Sequence, residues 1–394
     1  MMKRITRIAT FAIGIFATTP PALAQQEVKV GLMGSFTGPY ATWGKQYQEG
    51  VDLWLVQNNG RVGNMKISVL YRDVGGPNPQ RAKQVAQELV VRDEVAVLAG
   101  LEFTPTVLAV QEVIDQAKIP FVIFNSGTSS VTRKSPFYVR PAFTQWSVSV
   151  PTAKWAAQQG MKRAVIVAAD YAPGHDALAA YAKGFTDAGG QIIGEVRVPM
   201  GTTDFSSYLL RVRDLNPEGV FMFMPVGPMS AGFIKAYAER GLLKQGIRLM
   251  AGAETQEFDL PAIGDSAIGV ISALHYGPYL DNPANKAFVE AFKAKYGKDA
   301  MPSMISVVAY DGMRIVAKML EATGGQRDGV KMMEAVKGMK WDSPRGPVYI
   351  DPQTREIVQN IYVRRVEKVN GVLFNKEFTT LPAVKDPWLE LNPQ

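Results

Sequence analysis

Short apolar runs alternate with longer segments of helical period along most of this chain. Four runs rich in β-branched and apolar residues predict strands, at Val28–Leu32, Ile67–Arg72, Val95–Ala99 and Phe121–Phe124. The segments between them have amphipathic periodicity and predict helices, at Gln46–Gln57, Pro79–Arg92 and Val107–Ala117. Strands that alternate with helices in this way form a parallel sheet with helices on both faces.

The same alternation starts again in the middle of the chain and predicts a second sheet. Further strands are expected at Ala164–Ala168, Gln191–Val198, Val220–Met224, Arg248–Ala251, Val348–Ile350 and Gln359–Arg365. Further helices are expected at Ala177–Ala188, Phe205–Leu215, Met229–Gly241, Asn285–Tyr296, Val307–Ala322 and Gly329–Lys337. The pattern therefore predicts an α/β fold with two sheets. Because no repeat or Pro/Ser-rich linker separates the halves, we expect short crossings between them.

The N-terminus has the features of a cleaved secretory signal peptide. The basic segment Lys3–Arg7 precedes the apolar run Ile8–Ala17, and a small-x-small cleavage site, Ala22–Ala24, precedes Gln25. The apolar run is shorter than the roughly 20 residues that a membrane-spanning helix needs. We therefore expect residues 1–24 to be removed and the mature protein to lie in a bacterial periplasm. No cysteine is present to accept a lipid anchor.

Composition limits the protein class. Removing the leader leaves 370 of the 394 residues, above the roughly 250–300 at which one core stops growing, so two lobes are expected. The content is 47% hydrophobic and 20% charged, as in a globular chain with a sizeable core. The net charge of +7 falls by three when Lys3, Arg4 and Arg7 leave. The remaining charges are scattered, so no nucleic-acid partner is expected.

Signatures of catalysis are missing from the sequence. With no cysteine and only two histidines, His175 and His275, the chain has no zinc-binding motif and no Cys-His dyad. No serine lies in a G-x-S-x-G turn. The segment Gly38–Lys45 has the wrong glycine spacing for a phosphate-binding loop. We therefore expect no enzyme activity, no metal and no cofactor. An exported hydrolase remains a distant alternative, because acidic residues are plentiful.

Small hydroxyl residues follow three of the predicted strands. They lie in Ser35–Gly38, Thr104–Thr106 and Asn125–Ser130. The carboxyl ends of parallel strands line the ligand crevice of open α/β sheets. Hydroxyl groups and helix N-termini at such an edge suit a carboxylate. Each loop alone is also typical of an ordinary helix cap or turn.

Several segments, taken in order, resemble type I periplasmic binding proteins of the branched-chain amino acid group. The matching segments are Val28–Gly38, Trp43–Gly44, Gly50, Asp73, Pro120–Val122, Phe137–Arg140, Asp204–Ser206, Gly252–Glu254 and Tyr310–Gly312. The resemblance spans essentially the mature chain. It implies two Rossmann-like lobes joined by three crossings, a Venus-flytrap that closes over a small solute and delivers it to an ABC importer.

The resemblance also implies boundaries and partners. Lobe 1 would comprise residues 25–143 and 278–343, and lobe 2 residues 144–277 and 344–394. The partners would be a small carboxylate ligand and the permease subunits of the importer in the inner membrane. We expect the protein to be a monomer.

The family's ligand-binding positions fall on particular residues of this chain. By resemblance, Thr104, Ser126 and Thr128 would receive the ligand carboxylate, and Trp43 would close over the ligand. Glu254 falls where the family's acidic residue pairs with the ammonium group of an amino acid.

Two departures from the family pattern affect the choice of ligand. Pro173 stands where amino-acid binders usually have a tyrosine, although Tyr171 is close by, and Val226 stands at the next tyrosine position. Because both changes remove hydroxyl groups, we expect a flat or hydrophobic carboxylate, with an aromatic acid favoured. Phe103, Trp43 and Tyr171 would then stack on its ring, although each is equally typical of a core aromatic.

In that case Glu254 would hydrogen-bond a para-hydroxyl group of the ligand. The first alternative is a branched-chain or other hydrophobic amino acid. A ligand-sensing subunit of a membrane complex is a more distant alternative.

Overall fold

The computed structural model describes residues 26–393 and contains two sheets. The first has the order β2-β3-β1-β4-β5-β6. Its strands are β1 (Glu27–Gly34), β2 (Arg61–Val62), β3 (Met65–Asp73), β4 (Val97–Gly100), β5 (Phe121–Ile123) and β6 (Tyr138–Val139). All pairs are parallel except the β2-β3 hairpin. β4 and β5 are buried throughout, as expected of central strands with helices on both faces.

Four helices lie between these strands in the chain. They are α1 (Ala41–Gln57), α2 (Pro79–Gln87), α3 (Thr104–Ala109) and α4 (Gln111–Ala117). Asn78 caps α2 by accepting the Arg81 N–H at 3.0 Å. A π-helical turn, Glu88–Arg92, continues α2 and buries Leu89 and Val90.

The second sheet has the order β12-β13-β14-β11-β10-β9-β7-β8, and β15 pairs with β14. Its strands are β7 (Arg163–Ala169), β8 (Gln191–Val198), β9 (Gly219–Phe223), β10 (Arg248–Ala251), β11 (Ile271–Leu274), β12 (Lys340–Ser343), β13 (Gly346–Ile350), β14 (Ile357–Val369) and β15 (Val372–Val384). The strands β7 to β11 pair in parallel, and the pairs that involve β12 to β15 are antiparallel.

Nine further helices complete the described part of the chain. They are α5 (Gln145–Gln158), α6 (Ala172–Asp187), α7 (Ser206–Asp214), α8 (Pro228–Glu239), α9 (Leu260–Ile263), α10 (Pro283–Tyr296), α11 (Met304–Thr323), α12 (Gly329–Val336) and α13 (Pro387–Leu391). The chain passes between the sheets three times, after β6, after β11 and after α12. This confirms the predicted α/β class with two sheets joined by three crossings.

The late helices α10 and α11 return to the first sheet and pack on α1. The Tyr296 hydroxyl donates to the Glu49 carbonyl at 2.8 Å. Gly50 lies so close to α11 that a Cβ at this position would overlap the Ser306 carbonyl oxygen. The core beside the first sheet is therefore completed by residues far along the sequence.

Within residues 26–393, no helix is long and apolar enough to cross a membrane. The expected signal peptide, residues 1–24, lies outside the described residues.

Candidate functional site

A cleft lies between the two sheets, where the carboxyl ends of their parallel strands face each other. Loops after β4 and β5 and the helix α1 supply one side, and loops after β7, β9 and β10 supply the other. The lining residues are Trp43, Glu102, Phe103, Asn125, Gly127, Phe143, Gln145, Tyr171, Pro173, Phe223, Met224, Pro225, Val226, Ala253 and Met304. The cleft is thus at the position that strand topology favours for a ligand.

Aromatic side chains form walls on both sides of the cleft. On the first-sheet side are Trp43 and Phe103, and an edge of Phe103 meets the Tyr40 ring at a centroid distance of 4.8 Å. On the second-sheet side, Tyr171 and Phe223 stack with an interplanar angle of 16° and centroids 6.0 Å apart. Two such walls suit a flat, apolar ligand body.

The three hydroxyl residues expected to receive a carboxylate come together in one buried cluster. The Thr104 hydroxyl donates to that of Thr128 at 3.1 Å, and the Thr104 and Ser126 oxygens are 3.0 Å apart. Thr104 is the first residue of α3, and Thr128 precedes the 3-10 turn Ser129–Lys134. These hydroxyls bond to one another beside the cleft, and Gly127, which lies between Ser126 and Thr128 in sequence, is a lining residue.

The ligand-binding residues expected from the sequence therefore fall into two groups. Trp43, Phe103, Tyr171 and Val226 line the cleft. Thr104, Ser126, Thr128 and Glu254 are buried next to it without being among its lining residues.

Glu254 is fully buried behind the second-sheet wall. Its carboxylate accepts the Gly252 N–H at 2.7 Å and the Met224 N–H at 3.2 Å. Burial raises the pKa of Glu254 to about 7, and the backbone N–H groups oppose this shift only partly. The raised pKa makes the protonated form, which is able to donate a hydrogen bond, accessible to this carboxyl group much closer to neutral pH than is usual for a glutamate.

A second buried carboxyl group, Glu102, lines the cleft on the opposite side. It accepts the Ser35 N–H at 2.7 Å and the Ser35 hydroxyl at 3.3 Å. Burial also raises the pKa of Glu102 to about 7, although the bonds from Ser35 oppose the shift. The two carboxyl groups thus have similar titration behaviour on the two sides of one cleft.

Sequence reasoning missed several lining residues. Glu102 lies in the loop after β4, so the strand-end argument applied to Thr104 extends to it. Asn125 lies in the expected segment Asn125–Ser130 but was given no role there. Phe143 and Gln145 come from the first crossing. The Gln145 N–H donates to the Gly127 carbonyl at 2.8 Å, which fixes this crossing against the hydroxyl loop.

Neither histidine is part of the cleft. His175 pairs with Asp170 at 2.6 Å, and both side chains are about half exposed. His275 is fully buried, and burial, together with the charge of nearby Arg345, lowers its pKa well below the usual value. Among residues 26–393 no group of three or more His, Cys, Asp or Glu side chains is arranged to hold a metal ion.

Known proteins similar to this one match it over nearly the whole chain. A sequence profile described as periplasmic binding protein matches residues 27–371. The Leu/Ile/Val-binding protein homolog 6 of Brucella melitensis is 45% identical over 386 residues, covering 98% of this chain and 99% of the relative.

Two solved structures from Rhodopseudomonas palustris are also similar. A solute-binding protein of an ABC transporter from strain HaA2, in complex with p-hydroxybenzoic acid, is 44% identical with a TM-score of 0.91, covering 93% of this chain and 100% of that one. The corresponding protein from strain BisB5, in complex with 3,4-dihydroxybenzoic acid, is 42% identical with a TM-score of 0.87, covering 92% and 99%.

Proposed function

This chain belongs to the periplasmic binding protein family, and on that premise we propose that it is the solute-binding receptor of an ABC importer for hydroxybenzoate-type aromatic acids. The supporting observation is a cleft with aromatic walls on both sides and a cluster of three hydroxyl groups buried next to it. The ring of an aromatic acid suits the walls, and its carboxylate suits the hydroxyl cluster.

The ligands of the solved relatives support the same ligand class. Two solute-binding proteins that share 44% and 42% of their residues with this chain hold mono- and dihydroxylated benzoic acids. Pro173 and Val226 in the cleft lining add apolar surface where an amino-acid ligand would profit from hydroxyl groups. The aromatic acid is therefore the better match to this cleft.

We assign roles to the cleft residues on this basis. Thr104, Ser126 and Thr128 would bind the carboxylate, with Trp43 and Phe103 on one face of the ring. Tyr171 and Val226 would contact the other face. Glu254, with its pKa of about 7, would hydrogen-bond the para-hydroxyl group.

The rest of the proposal follows the family pattern. The lobes, residues 25–143 with 278–343 and residues 144–277 with 344–394, would close over the ligand by bending at the three crossings. The mature protein would act in the periplasm as a monomer without a cofactor, bind the permease subunits, and perform no catalysis.

A branched-chain amino acid is the second candidate ligand. The relative described as a Leu/Ile/Val-binding protein homolog favours it. In that case Glu254 would be ionised and would pair with the ligand ammonium group.

Calorimetric titration of the purified mature protein with 4-hydroxybenzoate and with leucine tests the proposal. We expect binding of 4-hydroxybenzoate, and a ligand at 100 times its Kd should raise the free energy of unfolding by about 2.7 kcal/mol. Tight binding of leucine with no binding of aromatic acids would overturn the choice of ligand.

The variant Glu254→Gln separates the two ligand classes further. A bound amino acid would lose its buried ionic partner, so its binding free energy would weaken by several kcal/mol. A para-hydroxy acid would still bond to the amide and should lose about 1 kcal/mol. Glu112→Gln is the matched control, because Glu112 is exposed and pairs only with Lys83 and Gln116 on the surface.

A further inference from the structure

A buried ion pair joins the end of the first sheet to the start of β14. The Arg140 side chain has no exposed surface, and that of Glu356 is 4% exposed. Two guanidinium nitrogens of Arg140 bond to the two Glu356 carboxylate oxygens at 2.8 and 2.6 Å. The backbones are paired as well, because the Ile357 N–H donates to the Arg140 carbonyl at 3.1 Å.

The remaining guanidinium nitrogen of Arg140 binds the loop that bears the hydroxyl cluster. It donates to the Thr128 carbonyl at 2.9 Å and also to the Ser126 carbonyl. The planar, forked guanidinium makes this triple attachment possible, since it presents donors in fixed directions. Arg140 therefore connects Glu356 with both residues that flank Gly127.

This attachment determines where the Gly127 N–H points. In a trans peptide the N–H lies opposite the preceding carbonyl. Because the Ser126 carbonyl faces Arg140, the Gly127 N–H points away from Arg140, and Gly127 lines the cleft. Ser126 itself has a φ of +73°, a left-handed conformation that a serine holds only when its surroundings enforce it.

The other side of Ser126 is also held. Its N–H donates to the Glu102 carbonyl at 3.0 Å, and its hydroxyl lies 3.0 Å from that of Thr104. The loop is thus held by the Glu102 carbonyl on one side and by the Arg140 guanidinium on the other.

We infer that Arg140 is a positioning residue for the ligand carboxylate: it acts through the Ser126 and Thr128 carbonyls to aim the Gly127 N–H and the adjacent hydroxyls at that group. The inference rests on the proposed function, since it requires a carboxylate ligand in this cleft. Arg140 is not among the residues that line the cleft, and Glu356 pairs with its charge, so we expect its effect to be orientation and not long-range attraction.

Two variants test this role. Arg140→Lys keeps the positive charge beside Glu356 but loses the fork that reaches the loop. The double variant Arg140→Met/Glu356→Leu removes both charges, and replacing a whole buried pair with apolar residues of similar volume generally preserves folding. The matched control is Asp311→Leu/Arg345→Met, a buried pair at another crossing whose atoms do not contact the loop.

The readout is the ratio of affinities for 4-hydroxybenzoate and its neutral amide, 4-hydroxybenzamide, with folding checked by circular dichroism. We expect both Arg140 variants to lower the affinity for the acid about tenfold or more, as loss of a charge-assisted bond does. The affinity for the amide should fall much less, so the ratio of the acid affinity to the amide affinity should decrease. In the control variant both affinities should change together.

Nuclear magnetic resonance of protein labelled with 15N-glycine gives an independent readout. The Gly127 amide signal should move downfield when the acid binds to the wild type and should not move in the Arg140 variants. An unchanged affinity ratio together with a normal Gly127 shift in folded variants would overturn the inference while leaving the proposed function intact.

Failure of the wild type to bind any aromatic acid would instead overturn the proposed ligand class. If leucine binds in its place, the same ratio is measured with leucine and leucinamide. The role of Arg140 is then judged by the same criterion.

Discussion

Replacing Glu102 with glutamine should change how the stability of the protein depends on pH. Burial raises the pKa of Glu102 to about 7 in the folded state, whereas an unfolded chain has a glutamate pKa of about 4.3. The folded protein therefore binds this proton more tightly. The resulting stabilisation is complete below pH 4 and is lost as the pH rises through 7.

The expected size follows from the difference between these pKa values. At about 1.4 kcal/mol per unit, a rise of two to three units corresponds to ~3 kcal/mol of unfolding free energy lost between pH 4 and pH 8. Because Glu102 is 3% exposed, solvent does not screen this effect much. The Glu102→Gln amide does not ionise and is able to accept the Ser35 N–H in the same way.

Urea unfolding of the ligand-free protein at pH 5 to 9 measures this difference. We expect Glu102→Gln to be more stable than the wild type at pH 8 by up to ~3 kcal/mol, and this difference should shrink to about 1 kcal/mol at pH 5. The stability of the variant should still fall as the pH rises, but less steeply than that of the wild type, because burial also raises the pKa of Glu254 and Asp259 to about 7. Glu112→Gln serves as the exposed control. Identical pH profiles for Glu102→Gln and the wild type would refute the reasoning.

Three further outcomes are expected. Thr128→Val keeps the side-chain shape but removes a hydroxyl that would bind the ligand carboxylate, so calorimetry should show a loss of about 1.5–3 kcal/mol of binding. Thr106→Val is the control, because the Thr106 hydroxyl donates to a backbone carbonyl outside the cluster. This control should lower the stability of the protein without changing ligand affinity. Gly50→Ala should destabilise the protein by more than about 1 kcal/mol in urea unfolding, because the new Cβ would overlap the Ser306 carbonyl oxygen; wild-type stability would contradict the packing of α1 on α11. N-terminal sequencing of periplasmic protein should begin at Gln25, and retention of Met1 would contradict the signal peptide.

Elements with a clear apolar period were predictable from the sequence. Gln191–Val198 and Arg248–Ala251 were predicted with their observed bounds, and most other strands differ by one to three residues. The helix α5 was missed because it is buried on nearly all sides and contains Pro151, so it has no polar face to mark its period. β11 and β15 were missed because short or irregular strands give little alternation, and their place in the sheet depends on β14.

The residues of the candidate site were also predictable only in part. Hydroxyl residues directly after strands, such as Thr104 and Ser126, were found because topology places strand ends together. Glu102 was missed, since a carboxylate in a loop is usually a solvated surface residue, and its partner Ser35 lies in a distant segment, just after β1. Gln145 could not be found from local patterns, because the course of the first crossing is a property of the assembled fold.

The packing of α1 against α10 and α11 has a consequence for the order of folding. The bond between Tyr296 and Glu49 joins residues 247 positions apart, and the bond between Tyr310 and Gln57 joins residues 253 apart. Contacts this distant form only after the entropy of closing a long loop has been overcome. A nascent chain that ends before α11 therefore lacks one face of its first core and should stay unfolded. For the periplasmic receptor that we propose, such a delay would keep the chain unfolded, and therefore able to pass through a translocation channel, until most of it has been synthesised.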